Sequence, residues 1–563
     1  MNDIRRTILW VIFGFSMVLL WDQWQVYNGH KATFFPSPAT PAAVVSTAPP
    51  STAPGLPATQ AIVGSGQIVS GEATHPSLTR ERVVVTSDVL KLTFDTEGGS
   101  LVKTEFLKYR DLTDQTRNFV LLDEDKVRFY VAQTGLIAGA AGGSFPNHKT
   151  VMSIKSPERE LKDGSNELIV KFESPEVGGV RLIKTYTIKR GHYDLMVRHE
   201  VLNDGKDQVA PQLYFQLVRD GNKLAGASSF YSTFTGPAVY TEAKKYQKVE
   251  FSDIEKNKFE IEKQSENGYV AMVQHYFASA WILADGIKRD LFMRKVDTNL
   301  YAVGMIASLP GIAPGASQAV DARLFAGPQE EKTLEALAPG LELVKDYGWL
   351  TILAKPLYWL LDKLHAMLQN WGWSIVALVV LLKIAFYWLN AKAYASMAKM
   401  KAINPRIMEM RERLKDNPQQ MQQEMMRIYR EEKVNPMGGC LPIVIQIPVF
   451  IALYWVLLSS VEMRNAPWIL WIKDLSAADP YFILPFLMTL STMLQTALNP
   501  APPDPMQAKM MWIMPLVFSV MFFFFPAGLV LYWLTNNILS IAQQWVINKR
   551  MGVPPQFNLP KFR

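Results

Sequence analysis

The sequence predicts a polytopic α-helical membrane protein with six transmembrane helices, a large periplasmic β-sandwich and a cytoplasmic helical hairpin. Three observations carry that prediction. Long apolar stretches are almost free of charge, about 240 residues alternate in β fashion, and Lys and Arg crowd one side of the apolar stretches.

The chain has 563 residues, 49% hydrophobic and 19% charged, with a mean hydropathy of +0.04. These averages are those of an ordinary soluble protein and exclude a disordered or collagen-like chain. A single cysteine, Cys440, excludes a disulfide scaffold and any multi-cysteine metal site. The net charge of +7 is too mild to imply nucleic-acid binding. The distribution of the apolar residues is what discriminates. Thr7–Trp21, Trp371–Leu389, Cys440–Ser459, Pro480–Leu498, Met510–Phe525 and Ala527–Ile547 hold one charged residue between them, Lys383. At the chain's average density about 21 would be expected. A bilayer core needs roughly 20 apolar residues per helix, which four of the six match or nearly match. Buried helices of a soluble protein are the bland alternative, and five such stretches in the last third of the chain weigh against it.

The first stretch follows Arg5 and Arg6, as in a signal peptide, but Asp22-Gln23-Trp24-Gln25 after it has no small-residue cleavage pattern. Residues 1–24 are therefore read as an uncleaved anchor. Lys and Arg concentrate in residues 1–6, 390–439 and 548–563, whereas the loop 460–479 carries Arg464 and Lys473 alone. Both termini then face the cytoplasm and residues 22–370 the periplasm. Residues 548–563 form a short basic tail.

Residues 25–81 are rich in Pro, Ala, Ser and Thr and read as a flexible tether. Residues 82–330 are expected to form the sandwich. Val83-Val84-Val85, Leu90–Phe94 and Leu182–Ile188 are strand-like runs, bounded by turns at Glu97-Gly98-Gly99, Asp163-Gly164 and Arg190-Gly191. Its four histidines (148, 192, 199 and 275) form no metal-spaced cluster, and His199-Glu200 lacks the second histidine of H-E-x-x-H. Neither a G-x-S-x-G elbow nor a Walker phosphate loop occurs. No cofactor is expected. In residues 341–370, Leu353, Leu357, Leu360, Leu361, Leu364 and Leu368 recur at helical spacing, with Trp349 and Trp359 as interfacial anchors. The competing reading packs that helix on the β domain.

Residues 391–434 show two apolar stripes separated by Asp416-Asn417-Pro418, hence a hairpin. Its interior is either self-packed, or its Met397, Met400 and Met425 with Arg411 and Arg413 meet nascent chains, targeting factors or anionic lipid.

Lys383 lies six residues, ~9 Å, from the cytoplasmic end of its stretch. A snorkelling lysine is the simple explanation. Gln446, Thr535, Asn536, Asn537, Gln543, Gln544 and Gln495 nevertheless all fall in the middle or inner half. Polar groups at that depth must face one another or water. A channel would need them along its whole length. The pattern fits a wet groove that opens to the cytoplasm and ends blindly. Such a groove would receive a hydrophilic segment partway through the bilayer. A transporter or channel, and a membrane-anchored periplasmic enzyme, are the two alternatives.

Tyr394-Ala395-Ser396-Met397-Ala398-Lys399-Met400, Asn435-Pro436-Met437-Gly438-Gly439-Cys440-Leu441-Pro442, Gln446–Phe450, Asp504-Pro505-Met506-Gln507 and Pro526–Trp533 resemble the YidC/Oxa/Alb membrane protein insertases. The likeness runs through residues 340–550, and the anchor and β domain match the long Gram-negative form. The resemblance implies a β-supersandwich outside and a five-helix insertase core at 371–547. It implies an insertase and folding chaperone of inner-membrane proteins that acts without covalent chemistry. Its partners would be nascent inner-membrane proteins, the Sec translocon with its accessory subunits, membrane lipid and, transiently, the signal recognition particle system and the ribosome. The family's single basic groove residue falls on Lys383, where relatives commonly carry Arg. Gln446, Tyr532 and Trp533 fall on groove-lining positions. With Thr535 and Asn536 they make up the expected substrate groove. The short tail lacks the long basic extension that some relatives use at the ribosome.

Overall fold

The computed structural model describes residues 80–111, 114, 116–138, 143–224, 233–414, 417–432, 441–499, 505–552 and 557. The expected anchor, the expected tether as far as residue 79 and Cys440 lie outside them. Two compact units result. One runs up to Thr351 and includes Trp455–Arg464; the other comprises Ile352–Tyr454 and the residues from Asn465 onward.

The first unit is two antiparallel sheets. In one, Arg82–Thr86, Leu90–Asp95, Ser100–Arg110, Phe129–Ile137, Gln212–Asp220, Leu300–Ser308, Arg289–Asp297 and Gln264–Ser265 lie side by side. The other runs Lys245–Lys248, Gly236–Thr241, Tyr269–Gln274, Phe277–Leu283, Ser317–Pro328, Asp194–Asn203, Val180–Lys189, Glu167–Glu173 and Ser153–Ile154. Strands near the edges alternate buried and exposed, as in Glu167–Glu173, because one face meets the core and one meets water. Central strands such as Phe277–Leu283 are buried throughout. The turns expected at glycine carry positive φ at Gly98 (73°), Gly164 (86°) and Gly191 (75°). At Gly98 a Cβ would also stand 2.5 Å from the His148 carbonyl oxygen, so no other residue fits there. Two short helices, α1 (Phe251–Glu255) and α2 (Glu331–Leu337), belong to this unit.

Between the sheets Phe94 packs its ring on Tyr186 (4.7 Å) and Phe172 (5.7 Å). A polar group sits inside this apolar layer. Lys184 is fully buried and its Nζ donates to the carbonyl oxygens of Gly98 (2.6 Å) and Thr134 (2.8 Å). Two acceptors suit a neutral amine with two N–H groups, and burial pushes the Lys184 amine down to about 7. His199 Nε2 meets Thr134 Oγ1 at 2.9 Å, and His148 Nδ1 meets the Tyr214 hydroxyl at 2.5 Å. Burial, then the nearby Lys184, holds His199 well below its ordinary value and His148 at about 3. The histidines thus serve the packing of the sandwich.

Trp455–Arg464 closes this unit. The Arg464 guanidinium lies over the rings of Phe277 (5.2 Å), Phe119 (5.3 Å) and Tyr276 (5.5 Å) and donates to the Arg110 carbonyl. Lys345, its side chain fully buried, pairs with Glu462 at 3.2 Å. His275 Nε2 donates to the Leu458 carbonyl at 2.9 Å.

The second unit is helical: α3 (Thr351–Leu368), α4 (Trp371–Ala385), α5 (Tyr387–Arg413), α6 (Pro418–Glu431), α7 (Leu441–Ser459), α8 (Ile483–Leu498), α9 (Pro505–Met521) and α10 (Ala527–Arg550). Among the described residues no single helix is long and apolar enough to cross a membrane; the bent pair α4 and α5 passes that test together. The stretch expected as one helix to Leu389 breaks at Phe386 (φ −92°, ψ 10°), and the two helices meet at 69°. On α3 the buried stripe is Ala354, Tyr358 and Leu361, while Ile352, Leu353, Trp359, Met367 and Leu368 are exposed.

Because Lys184, His148 and His199 bind protons more weakly in the folded sandwich than in an unfolded chain, folding is favoured by high pH. The Lys184 contribution is lost as pH falls from about 10.5 to 7, that of His148 as pH falls from about 6.5 to 3, and that of His199 as pH falls below about 6.5. The urea midpoint of the strand circular dichroism of the full chain in detergent should therefore fall from pH 10 to pH 5. Lys184→Met should flatten the upper half of that profile by about 1.4 kcal/mol per pH unit.

Candidate functional site

Each helix of the second unit brings its polar residues for a local reason. Asn370 caps α4 by accepting from the Trp373 amide at 3.0 Å. A Cβ on Gly372 would stand 2.2 Å from Trp468, so glycine permits that approach. Lys383 falls in the last turn of α4, three residues before the break at Phe386. It is nearer a helix end than a helix running to Leu389 would place it.

On α10 the polar residues divide into two stripes. At 3.6 residues per turn, Asn536, Ser540 and Gln543 share one face, and Asn537, Gln544 and Asn548 lie about 100° round the helix. The first stripe meets α4 and α7. Lys383 Nζ donates to Ser540 Oγ at 2.7 Å, and Gln446 Nε2 donates to Asn536 Oδ1 at 2.9 Å. The second stripe meets α8 and the residue after it. Asn537 Nδ2 donates to Ser491 Oγ (3.1 Å) and Thr492 Oγ1 (2.8 Å), and Gln544 Nε2 to Asn499 Oδ1 (3.2 Å). From sequence, Lys383, Gln446, Asn536, Asn537, Gln543 and Gln544 fall in one constellation. Helical phase separates a lock between α8 and α10 from a cleft between α4, α7 and α10.

That cleft brings together Lys383, Gln446, Tyr532 and Asn536 of the six expected groove residues. Val379, Phe386 and Asn390 also line it and were not singled out beforehand. Trp533 turns away, packing on Phe450 (4.5 Å, 88°) and Phe522 (5.0 Å), and Thr535 is also outside the lining. The two follow from phase, since neighbours on a helix point about 100° apart. Ser540 could have been found by the same rule, four residues after Asn536. The room for the centre of a water inside the cleft is about 20 Å³, enough for about one water.

The hairpin is α5 and α6. Asn417 caps α6 by accepting from the Gln420 amide at 3.2 Å. Ile403, Ile407, Met410 and Ile428 form its core, with Met400, Met421 and Met425 packed against them. Arg406 spans the pair to Glu431 (3.2 Å) and Glu432 (2.9 Å). Met400 and Met425 pack on that core and are half-buried. Met397 and Arg411 are half-buried and Arg413 is exposed, and the outward methionines are Met408 and Met426. Among the described residues no group of His, Cys, Asp or Glu could hold a metal ion.

A two-sheet β unit and a unit of apolar helices that enclose an ammonium and three amide side chains in one cleft define a protein of sandwich-plus-bundle build. The model of the YidC periplasmic domain matches residues 82–360, and that of the 60Kd inner membrane protein matches residues 363–553. Membrane protein insertases YidC of Ralstonia nicotianae, Cupriavidus necator and Cupriavidus metallidurans are each 55% identical, covering 98% of this chain and 98% of theirs. The chain belongs to the YidC family of membrane protein insertases.

The lock between α8 and α10 should be measurable by itself. Asn537→Leu is expected to lower the stability of the detergent-solubilised protein by about 0.6–1.7 kcal/mol, read from its thermal unfolding, while Asn537→Gln lowers it less.

Proposed function

We propose that the chain inserts and helps to fold inner-membrane proteins by binding their hydrophilic segments in the cleft of Lys383, Gln446, Tyr532 and Asn536, with no covalent chemistry. The observation that carries this reading is the Lys383 ammonium in one cleft with the amide side chains of Asn390, Gln446 and Asn536 among apolar helices. Centring a charge in a bilayer costs about 2.5–3.5 kcal/mol on insertion scales. A carboxylate about 4 Å from a fixed ammonium regains roughly 1–4 kcal/mol as the surroundings pass from water to a protein surface. Amide groups and the water they admit shorten the remaining hydrocarbon path. The small volume of the cleft fits a closed resting form that parts when a segment enters.

In this reading the chain sits in the inner membrane with six spans, both termini cytoplasmic and the β domain periplasmic. The break at Phe386 makes the second span a bent one, and the exposed Ile352, Trp359 and Met367 of α3 suit a helix lying at the lipid surface. The Sec translocon with its accessory subunits, the signal recognition particle system, the ribosome and membrane lipid are the expected partners. On the hairpin, Met397, Met400, Arg411, Arg413 and Met425 are the expected contacts, with the exposed Met408 and Met426 beside them.

Liposomes containing the purified chain should protect a small two-span substrate from external protease. Lys383→Glu should reduce that protection about tenfold or more when the translocated segment is acidic and much less when it is neutral, as ~1.4 kcal/mol per tenfold requires. Equal protection of both substrates by the variant and the parent removes the charge from the mechanism.

A further inference from the structure

We infer that Ser540 is the positioning residue for Lys383: its hydroxyl holds the ammonium in the cleft and keeps it from extending to the aqueous face. The inference rests on the groove reading above and deepens it.

A lysine near a helix end has four methylenes with which to snorkel, and nothing in its own chemistry keeps it inward. The neighbouring hydroxyl does. Ser540 is 3% exposed, and its proton goes to the Asn536 carbonyl at 2.7 Å, one turn earlier on α10. A hydroxyl has one proton and two acceptor sites, so with the proton engaged the oxygen must present lone pairs to the cleft. Lys383 Nζ takes one at 2.7 Å. Tyr394 on α5 is a further hydrogen-bond partner of Ser540. The same Asn536 that orients Ser540 through its carbonyl receives Gln446 through its side chain at 2.9 Å. One turn of α10 thereby sets the positions of the charged residue from α4 and the amide from α7. An ammonium has three N–H donors, and among the described residues Ser540 takes one, which leaves two for a carboxylate or water that enters. Ser540 is too buried to meet the substrate itself, so it acts through Lys383.

The test uses the full chain in liposomes with two substrates that differ only in one aspartate of the translocated segment. Ser540→Ala should lower protection of the acidic substrate about three- to tenfold and leave the neutral one unchanged. Ser540→Thr, which keeps the hydroxyl, should restore it. Tyr394→Phe should not reproduce the loss. In a Lys383→Met background, Ser540→Ala should have no further effect, because a residue that acts only through the lysine has nothing left to position. Ser540→Cys, close in volume but a weak acceptor, repeats the measurement should the alanine variant fold poorly. If Lys383→Met lowers acidic-segment insertion while Ser540→Ala and Ser540→Cys do not, or if Ser540→Ala costs as much without the lysine as with it, this inference is wrong and the groove reading stands. If Lys383→Met itself changes nothing, the groove reading fails first.

Discussion

Within an apolar bundle a polar side chain has no bulk water to turn to, and it must find its partner among the helices around it. Much of the architecture of the helical unit answers that requirement. Helix α10 carries two polar stripes because it faces neighbours on two sides. Asn537 and Gln544 satisfy themselves against Ser491, Thr492 and Asn499, which joins α8 and α10 by hydrogen bonds as well as by contact. Asn536 and Ser540 receive Gln446 and Lys383 on the other side, and among the described residues that match leaves the ammonium with donors to spare. The stripe of Asn537 and Gln544 is closed against α8 and stabilises, whereas that of Asn536 and Ser540 borders the cleft.

The β-sandwich meets the same requirement with a different outcome. Lys184 is buried as Lys383 is partly buried, but its two acceptors are backbone carbonyls of Gly98 and Thr134 and no carboxylate lies among its hydrogen-bond partners. A neutral amine completes that arrangement, and burial favours it. Lys345, also buried, pairs with Glu462 and keeps a carboxylate beside it. Three lysines of one chain thus take three roles that residue type does not distinguish: a neutral core donor, half of an ion pair, and a charge held ready in a cleft.

Much of this was legible beforehand because it depends on local chain physics. Strand starts at Arg82 and Leu90, the turns at Gly98, Gly164 and Gly191, and the hairpin break before Pro418 follow from alternation, positive φ and the missing amide of proline. The lone Lys383 was conspicuous against its apolar surroundings. Less accessible was the break at Phe386, where neither proline nor glycine marks the backbone. Trp533 and Thr535 sat beside true lining residues in sequence, yet point elsewhere. Met400 and Met425 were equally consistent with an inner and an outer face, and packing of the two helices leaves them half-buried at the edge of the hairpin core.

Sequence alone determined which segments are apolar, which alternate, and that a single cation interrupts the apolar set, because composition and period act residue by residue. Family membership was also written there, in the proline, glycine and tryptophan motifs around the helices. Only the tertiary structure decided which polar residues share a face, since that depends on helical phase and on which helix lies opposite. It also decided that Lys383 ends on a serine hydroxyl. A hydrogen bond needs two partners within about 3 Å, and Lys383 and Ser540, 157 positions apart in the chain, meet only when α4 and α10 pack together.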